Sequence, residues 1–278
     1  MKSCAYCGGS GTMRKEHLMP ACLLKRTPDY EVQFHKPAPK RFVDGEITIR
    51  DVCRTCNNEL LSPLDVYLCK LYDAYFVRIV REKESIHFTY DYDLLTRWLL
   101  KTSYNCARAN KAPDTPQLAA FRDYMLHGQP APQHVGVLVQ LIIPSYEAVP
   151  ENNEAAGATA STLVGVPPTM WGVAQGHPPG YDVPLGIFRR ILLNSYCFYL
   201  VAAHEKGTIA PIEWSEVLRE VAEDIGGAHL LRSDCSSELL LASNVTSLDL
   251  SGDHVLQNYF GYQGEVARLS KKHKYKKK

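Results

Sequence analysis

The chain has 278 residues, 45% hydrophobic and 10% aromatic, with a formal net charge of +1. That composition supports a buried core and excludes wholesale disorder, and the length fits one large domain or two small ones. No apolar run approaches the ~18 residues that cross a bilayer, and the start Met1-Lys2-Ser3-Cys4 shows no apolar secretory signal, so the expectation is a cytoplasmic protein with no membrane partner. The near-neutral total conceals a partition: residues 1–110 carry +4, residues 111–265 carry −10 and residues 266–278 carry +7. A polyanion would be drawn to the first segment and the tail and repelled by the middle.

The first segment is rich in cysteine. Cys4-Ala5-Tyr6-Cys7 and Cys53-Arg54-Thr55-Cys56 form two C-x-x-C pairs. Between them, Asp44-Gly45 flanked by Phe42, Val43, Ile47 and Ile49 is a strong hairpin signal. After Cys56, Leu61, Leu64, Leu68, Leu71, Tyr75 and Ile79 recur at three or four residues, one face of a helix. Ser62-Pro63 reads as an N-cap and first helical position, so the run divides or kinks there. Ile86 to Tyr90 alternates like a strand. Residues 92–109 read as a helix, and Thr115-Pro116 opens a shorter one ending near Gly128. Val135 to Ile143 and Phe188 to Ala203 are strand-like, the latter with a turn at Asn194-Ser195. Residues 144–184, dense in proline and glycine, read mostly as loop. Trp214 to Ile225 is a helix with acidic residues outward, and the lysine-rich end is too charged to pack. The class is α+β, in three parts: residues 1–84, a mixed α+β domain over 85–265, and a basic tail over 266–278.

Two C-x-x-C pairs supply four thiolates, the ligand set of a closed tetrahedral zinc site. The nine cysteines are an odd number in a chain with no visible signal, which favours metal ligands and reduced thiols over a disulfide framework. Cys22, Cys69, Cys106, Cys197 and Cys235 have no ligand spacing and read as small core residues.

Between the pairs stands Lys15-Glu16-His17-Leu18-Met19-Pro20. With Cys4, Cys7, Cys53, Cys56 and Asn57, this order resembles the HNH nuclease family, in the branch whose ββα-metal core is held by two zinc knuckles. The resemblance covers roughly residues 1–70. It implies a divalent-metal-dependent endonuclease with double-stranded DNA as the default substrate, in which His17 is the general base. Glu16 and Asn57, with Asn58 as the adjacent alternative, would be oxygen ligands of a catalytic Mg²⁺ or Mn²⁺ beside the structural Zn²⁺. An imidazole with an ordinary pKa near ~6.5 can take a proton from water at neutral pH. Glu16 and His17 are neighbours on a strand and so face opposite ways. Thr48 stands where the family usually has an asparagine that pins the base-bearing loop, which bears on activity and not on fold.

Arg14, Lys15, Arg50 and Arg54 surround the motif and suit phosphate contacts. His35, in the basic and proline-rich stretch over 34–41, reads as a loop residue. The competing readings are a catalytically inactive zinc-stapled nucleic-acid-binding protein and an adaptor. Residues 85–265 carry no recognisable motif and could serve recognition, sensing or homodimer formation. In bacteria such two-part nucleases resemble restriction or anti-phage effectors, by family analogy alone.

Overall fold

The computed structural model describes residues 2–26, 48–150, 161–166, 171–175, 186–203, 211–226, 228–233, 238–242 and 245–246. The Asp44-Gly45 turn, His35, Cys235 and the basic tail lie outside the described residues. In chain order the elements begin with β1 (Met13–His17), α1 (Ala21–Arg26) and β2 (Thr48–Cys53). A continuous helical run follows: a π turn (Cys56–Leu61), α2 (Ser62–Leu71) and a second π turn (Tyr72–Phe76). Next are β3 (Ser85–Thr89), α3 (Tyr92–Asn110), α4 (Thr115–Ala119) and α5 (Arg122–His127). The strands β4 (Val135–Ile143), β5 (Ser145–Pro150), β6 (Ser161–Val166), β7 (Trp171–Gln175), β8 (Ile187–Leu193) and β9 (Tyr196–Ala202) lead to α6 (Pro211–Ile225). The short strands β10 (His229–Leu230), β11 (Glu238–Ala242) and β12 (Val245–Thr246) come last.

The mixed α+β class is as the sequence suggests. One local expectation is corrected. Ser62 does not cap a new helix: the cap position is Leu61, in helical geometry and without a side-chain cap, and the chain passes straight from π to α winding. Pro63 is tolerated because it sits at the start of the α segment, where its missing N–H has little to lose. Residues 144–184 contain strands: the structure describes 144–150, 161–166 and 171–175 of this stretch, and all but Pro144 lie in β5, β6 or β7. β5 pairs with β6 from Ser145↔Val166 to Pro150↔Ser161, and β7 pairs with β8 from Trp171↔Leu193 to Gln175↔Arg189. Proline and glycine there fall largely at strand ends or between strands, so their density marks hairpins and not the lack of strands.

The central sheet runs β10-β4-β9-β8-β7, with β12 added in parallel beside β4. Its strands β4, β8 and β9 are buried on both faces, which is why they read as continuous apolar runs without alternation. Strand period 2 still sorts them. Val135, Val137, Val139, Leu141 and Ile143 enter one cluster with Phe198 and Leu200, while Leu138 and Ile142 enter a second with Tyr199 and Val201 beneath α6. The turn predicted at Asn194-Ser195 joins β8 to β9, with Asn194 at φ 51°. It also docks on the helical run: Asn194 Nδ2 donates to the Phe76 carbonyl at 2.6 Å, and Ser195 Oγ accepts from the Val80 amide at 2.8 Å.

The larger cluster extends from Cys4 through α2 and α3 to Leu241. It includes residues on both sides of position 84. One departure from expectation is covalent. Cys22 on α1 and Cys69 on α2 are joined by a disulfide, against the expectation of reduced thiols. Their separation of 47 residues has no motif, and only the packing of α1 on α2 brings them together.

Gly136 sits under α6, where a Cβ would overlap the Leu218 methyls. Gly136→Ala should therefore lower stability by about 1–3 kcal/mol through overpacking. Leu218→Ala should cost markedly less in that background than in the wild type, a non-additivity read by chemical denaturation of the double-mutant cycle.

Candidate metal centre and adjoining polar cluster

The first knuckle is a tight turn. The Gly8 amide donates to the Cys4 carbonyl at 2.9 Å and the Cys4 amide to the Gly9 carbonyl at 2.8 Å. Gly8 takes φ +73°, a conformation that a side chain would strain. The Ala5 amide donates to the Asp51 carbonyl at 2.8 Å, which fastens the knuckle to β2. The second pair straddles the end of β2 and the start of the π turn.

All four Sγ atoms lie within 4.8 Å of one another. Four sulfurs bound at ~2.3 Å to a tetrahedral ion stand ~3.8 Å apart, and Cys7 Sγ to Cys53 Sγ is 3.8 Å. Backbone amides add N–H···S contacts, Cys53 N to Cys4 Sγ at 3.3 Å and Cys56 N to Cys53 Sγ at 3.5 Å. Burial raises the Cys4 thiol, but amide hydrogen bonds from Cys53, Cys7 and Tyr6 outweigh it and lower Cys4 to about 7. Burial and the neighbouring cysteines push Cys56 up. Protons on such a cluster are shed when a dication arrives. The donor set fits a structural metal such as zinc. Among the described residues it is the one grouping of three or more His, Cys, Asp or Glu side chains close enough to hold an ion.

β1 and β2 pair antiparallel, with His17 opposite Thr48 and Glu16 opposite Ile49. A register shift between Arg14 and Lys15 gives β1 two consecutive exposed residues, so Met13 and Glu16 both face inward. His17, next along, is half-buried at the strand end. Asn57, in the π turn, donates from Nδ2 to the Lys15 carbonyl at 2.8 Å. The helix start is thereby held against β1 two residues before His17, and Asn57 Oδ1 is not used by that bond. Asn58 is exposed. Arg14, Lys15, Arg50 and Arg54 are all exposed, and Lys15 faces Arg50 across the β1–β2 ladder.

Glu16 departs from the implied arrangement. Its side chain is only 5% exposed, and Oε1 lies 2.8 Å from Lys101 Nζ on α3. Lys101 also meets both Asp65 oxygens, at 2.7 and 2.6 Å. Burial alone would lower the Lys101 ammonium; Asp65 and Glu16 outweigh that and hold it above its ordinary value. The carboxylate assigned by resemblance to Mg²⁺ or Mn²⁺ thus faces a permanent cation inside the protein, and the described residues do not assemble a hard-ion site around it.

The neighbouring polar residues come from α3. Tyr6 OH donates to Asn105 Oδ1 at 2.7 Å, and Asn105 Nδ2 donates to Glu16 Oε1 at 3.2 Å and to the His17 carbonyl at 3.3 Å. Arg108 pairs with Asp51 at 3.0 Å and lies over the Tyr104 ring, 4.1 Å from its centroid. Sequence reading missed these residues. Their signal is a helical stripe, Leu94, Trp98, Lys101, Asn105, Arg108, that begins apolar and turns polar while its middle three residues stay buried. No family model matches the chain, and comparison with curated proteins and with solved structures likewise returns no match.

Cys53→Ser should abolish stoichiometric zinc and lower the melting temperature, as metal analysis and calorimetry would show; retained zinc with an unchanged melt would refute the ligand set. Lys101→Met should cost about 3–5 kcal/mol, because two carboxylates lose their buried partner. Adding Glu16→Gln and Asp65→Asn should restore part of that loss in urea unfolding.

Proposed function

We propose that the chain is a nucleic-acid phosphodiesterase of HNH type, acting on DNA, with His17 as its general base. The observation that carries this reading is the bond from Asn57, in the π turn that follows β2, to the carbonyl of Lys15, two residues before His17 at the end of β1. Exposed Arg14, Lys15 and Arg50 lie along the same two-stranded ladder, and Arg54 just after it. In the reaction, a water oxygen attacks phosphorus and the bond to the leaving oxygen breaks, that oxygen taking a proton from solvent water. His17 takes the water proton at the imidazole, which at neutral pH is the side chain best matched to that task. The four basic side chains bind the backbone by displacing counterions. A divalent ion, when bound, supplies charge neutralisation, and Asn57 Oδ1 is the residue oxygen at hand for it. No step is routed through Glu16.

One observation favours a second reading, a zinc-stapled nucleic-acid-binding protein without catalysis. It is the burial of Glu16 against Lys101, which removes the one carboxylate that the resemblance gives to the metal.

The two readings part on one experiment. Zinc-loaded protein is incubated with supercoiled plasmid, or with RNA, and Mg²⁺ or Mn²⁺. Cleavage should occur, and His17→Ala should reduce it by ~10²–10⁴-fold with zinc content and DNA affinity kept. Binding without cleavage by the wild type under either metal would favour the second reading.

A further inference from the structure

Asn105 is fully buried in the interior of α3. Asparagine is a poor helix former, and a buried amide without partners costs on the order of 1–3 kcal/mol. Here every hydrogen-bonding position of the amide is filled. Oδ1 accepts from Tyr6 OH at 2.7 Å and from Arg108 Nη2 at 3.0 Å; Nδ2 donates to Glu16 Oε1 at 3.2 Å and to the His17 carbonyl at 3.3 Å. The orientation of the amide admits one assignment. Arg108 has only donors to offer, while the Glu16 carboxylate and the His17 carbonyl are acceptors only, so the oxygen must face the guanidinium and the nitrogen must face β1.

Two further contacts restrict movement of the same strand end. Lys101 holds Glu16, and Asn57 holds the Lys15 carbonyl. The Asn105 amide reaches His17 itself, through the backbone carbonyl. Thr48 lies across from His17 in the β1–β2 register.

We propose that Asn105 is a positioning residue for His17: α3 supplies, from outside the cysteine module, the amide that fixes the backbone carrying the imidazole. This rests on the phosphodiesterase reading for its kinetic consequence and on geometry alone for its structural one. Groups that hold a reacting side chain from behind typically contribute 10–100-fold to activity when the reacting geometry must be kept within a fraction of an ångström.

The test uses the full zinc-loaded chain and three variants. Asn105→Ala removes both donors. Tyr6→Phe is milder: it removes one of the two donors that orient the amide and leaves the ring in place. Asn105→Asp keeps the acceptor for Tyr6 and Arg108 and loses the donor to the His17 carbonyl. Two readouts are taken on each variant that retains one zinc per chain. The first is plasmid cleavage, where Asn105→Ala should lower kcat by 10–100-fold with KM within about twofold, and Tyr6→Phe by less. A merely structural residue would lower the active fraction and leave the turnover per folded molecule unchanged. The second is the ring resonances of ¹⁵N-histidine-labelled protein. His17 should give one set of ring signals in the wild type and shifted or broadened signals in Asn105→Ala and Asn105→Asp, with the other histidines unmoved.

Unaltered His17 signals together with wild-type kcat per folded molecule would overturn the proposal. If Asn105→Ala and Asn105→Asp fail to fold, Tyr6→Phe decides by the same two readouts. A wild type that cleaves nothing defeats the phosphodiesterase reading, and the positioning of His17 is then settled by the ring signals alone.

Discussion

A protonated amine that is almost wholly buried must be matched by anions, and Lys101 draws them from two distant parts of the chain. Glu16 arrives on β1 and Asp65 on α2, each within 2.8 Å of the ammonium. The cost of taking three charges out of water is offset only while all three stay together. That requirement fixes where α3 crosses the cysteine module. Once α3 is in place, Asn105 and Arg108 fall opposite His17 and Asp51 on the next turns. The four-cysteine cluster is tied to the same unit, since Asp51 bonds the first knuckle through its carbonyl and Arg108 through its carboxylate.

How much of this could be read from the residues depended on distance along the chain. The C-x-x-C pairs were legible because each pair is local and needs only a tight turn to aim two sulfurs at one point. The buried strands Val135–Ile143, Ile187–Leu193 and Tyr196–Ala202 were legible because their apolar runs are dense and end at turn residues. The hydrogen-bonded core around Lys101 was not. Lysine, asparagine and arginine on a helix ordinarily face water, and no local pattern says that Glu16 waits 85 positions upstream. Glu16 shows the same limit from the other side: its place beside His17 suggested a ligand, while its partner on α3 decided its burial.

The central sheet serves two masters. One face joins the cysteine module in a single apolar cluster; the other is closed by α6 with Trp214, Leu218 and Val221. Gln140 sits inside that second layer, accepting from Tyr199 OH at 2.8 Å and donating to the last carbonyls of α6 at Ile225 and Gly226. The helix end is satisfied from the sheet beneath it, a side chain doing what water would otherwise do.

The Cys22–Cys69 bond has a topological consequence. It closes a ring of chain that contains Cys53 and Cys56, while Cys4 and Cys7 lie outside it. An ion held by all four thiolates then ties the free end of the chain to the inside of that ring. A protease cut anywhere between residues 27 and 47 would sever the polypeptide and still release nothing. The two pieces would part only after both a reductant and a chelator had acted, each reagent alone leaving one knot tied.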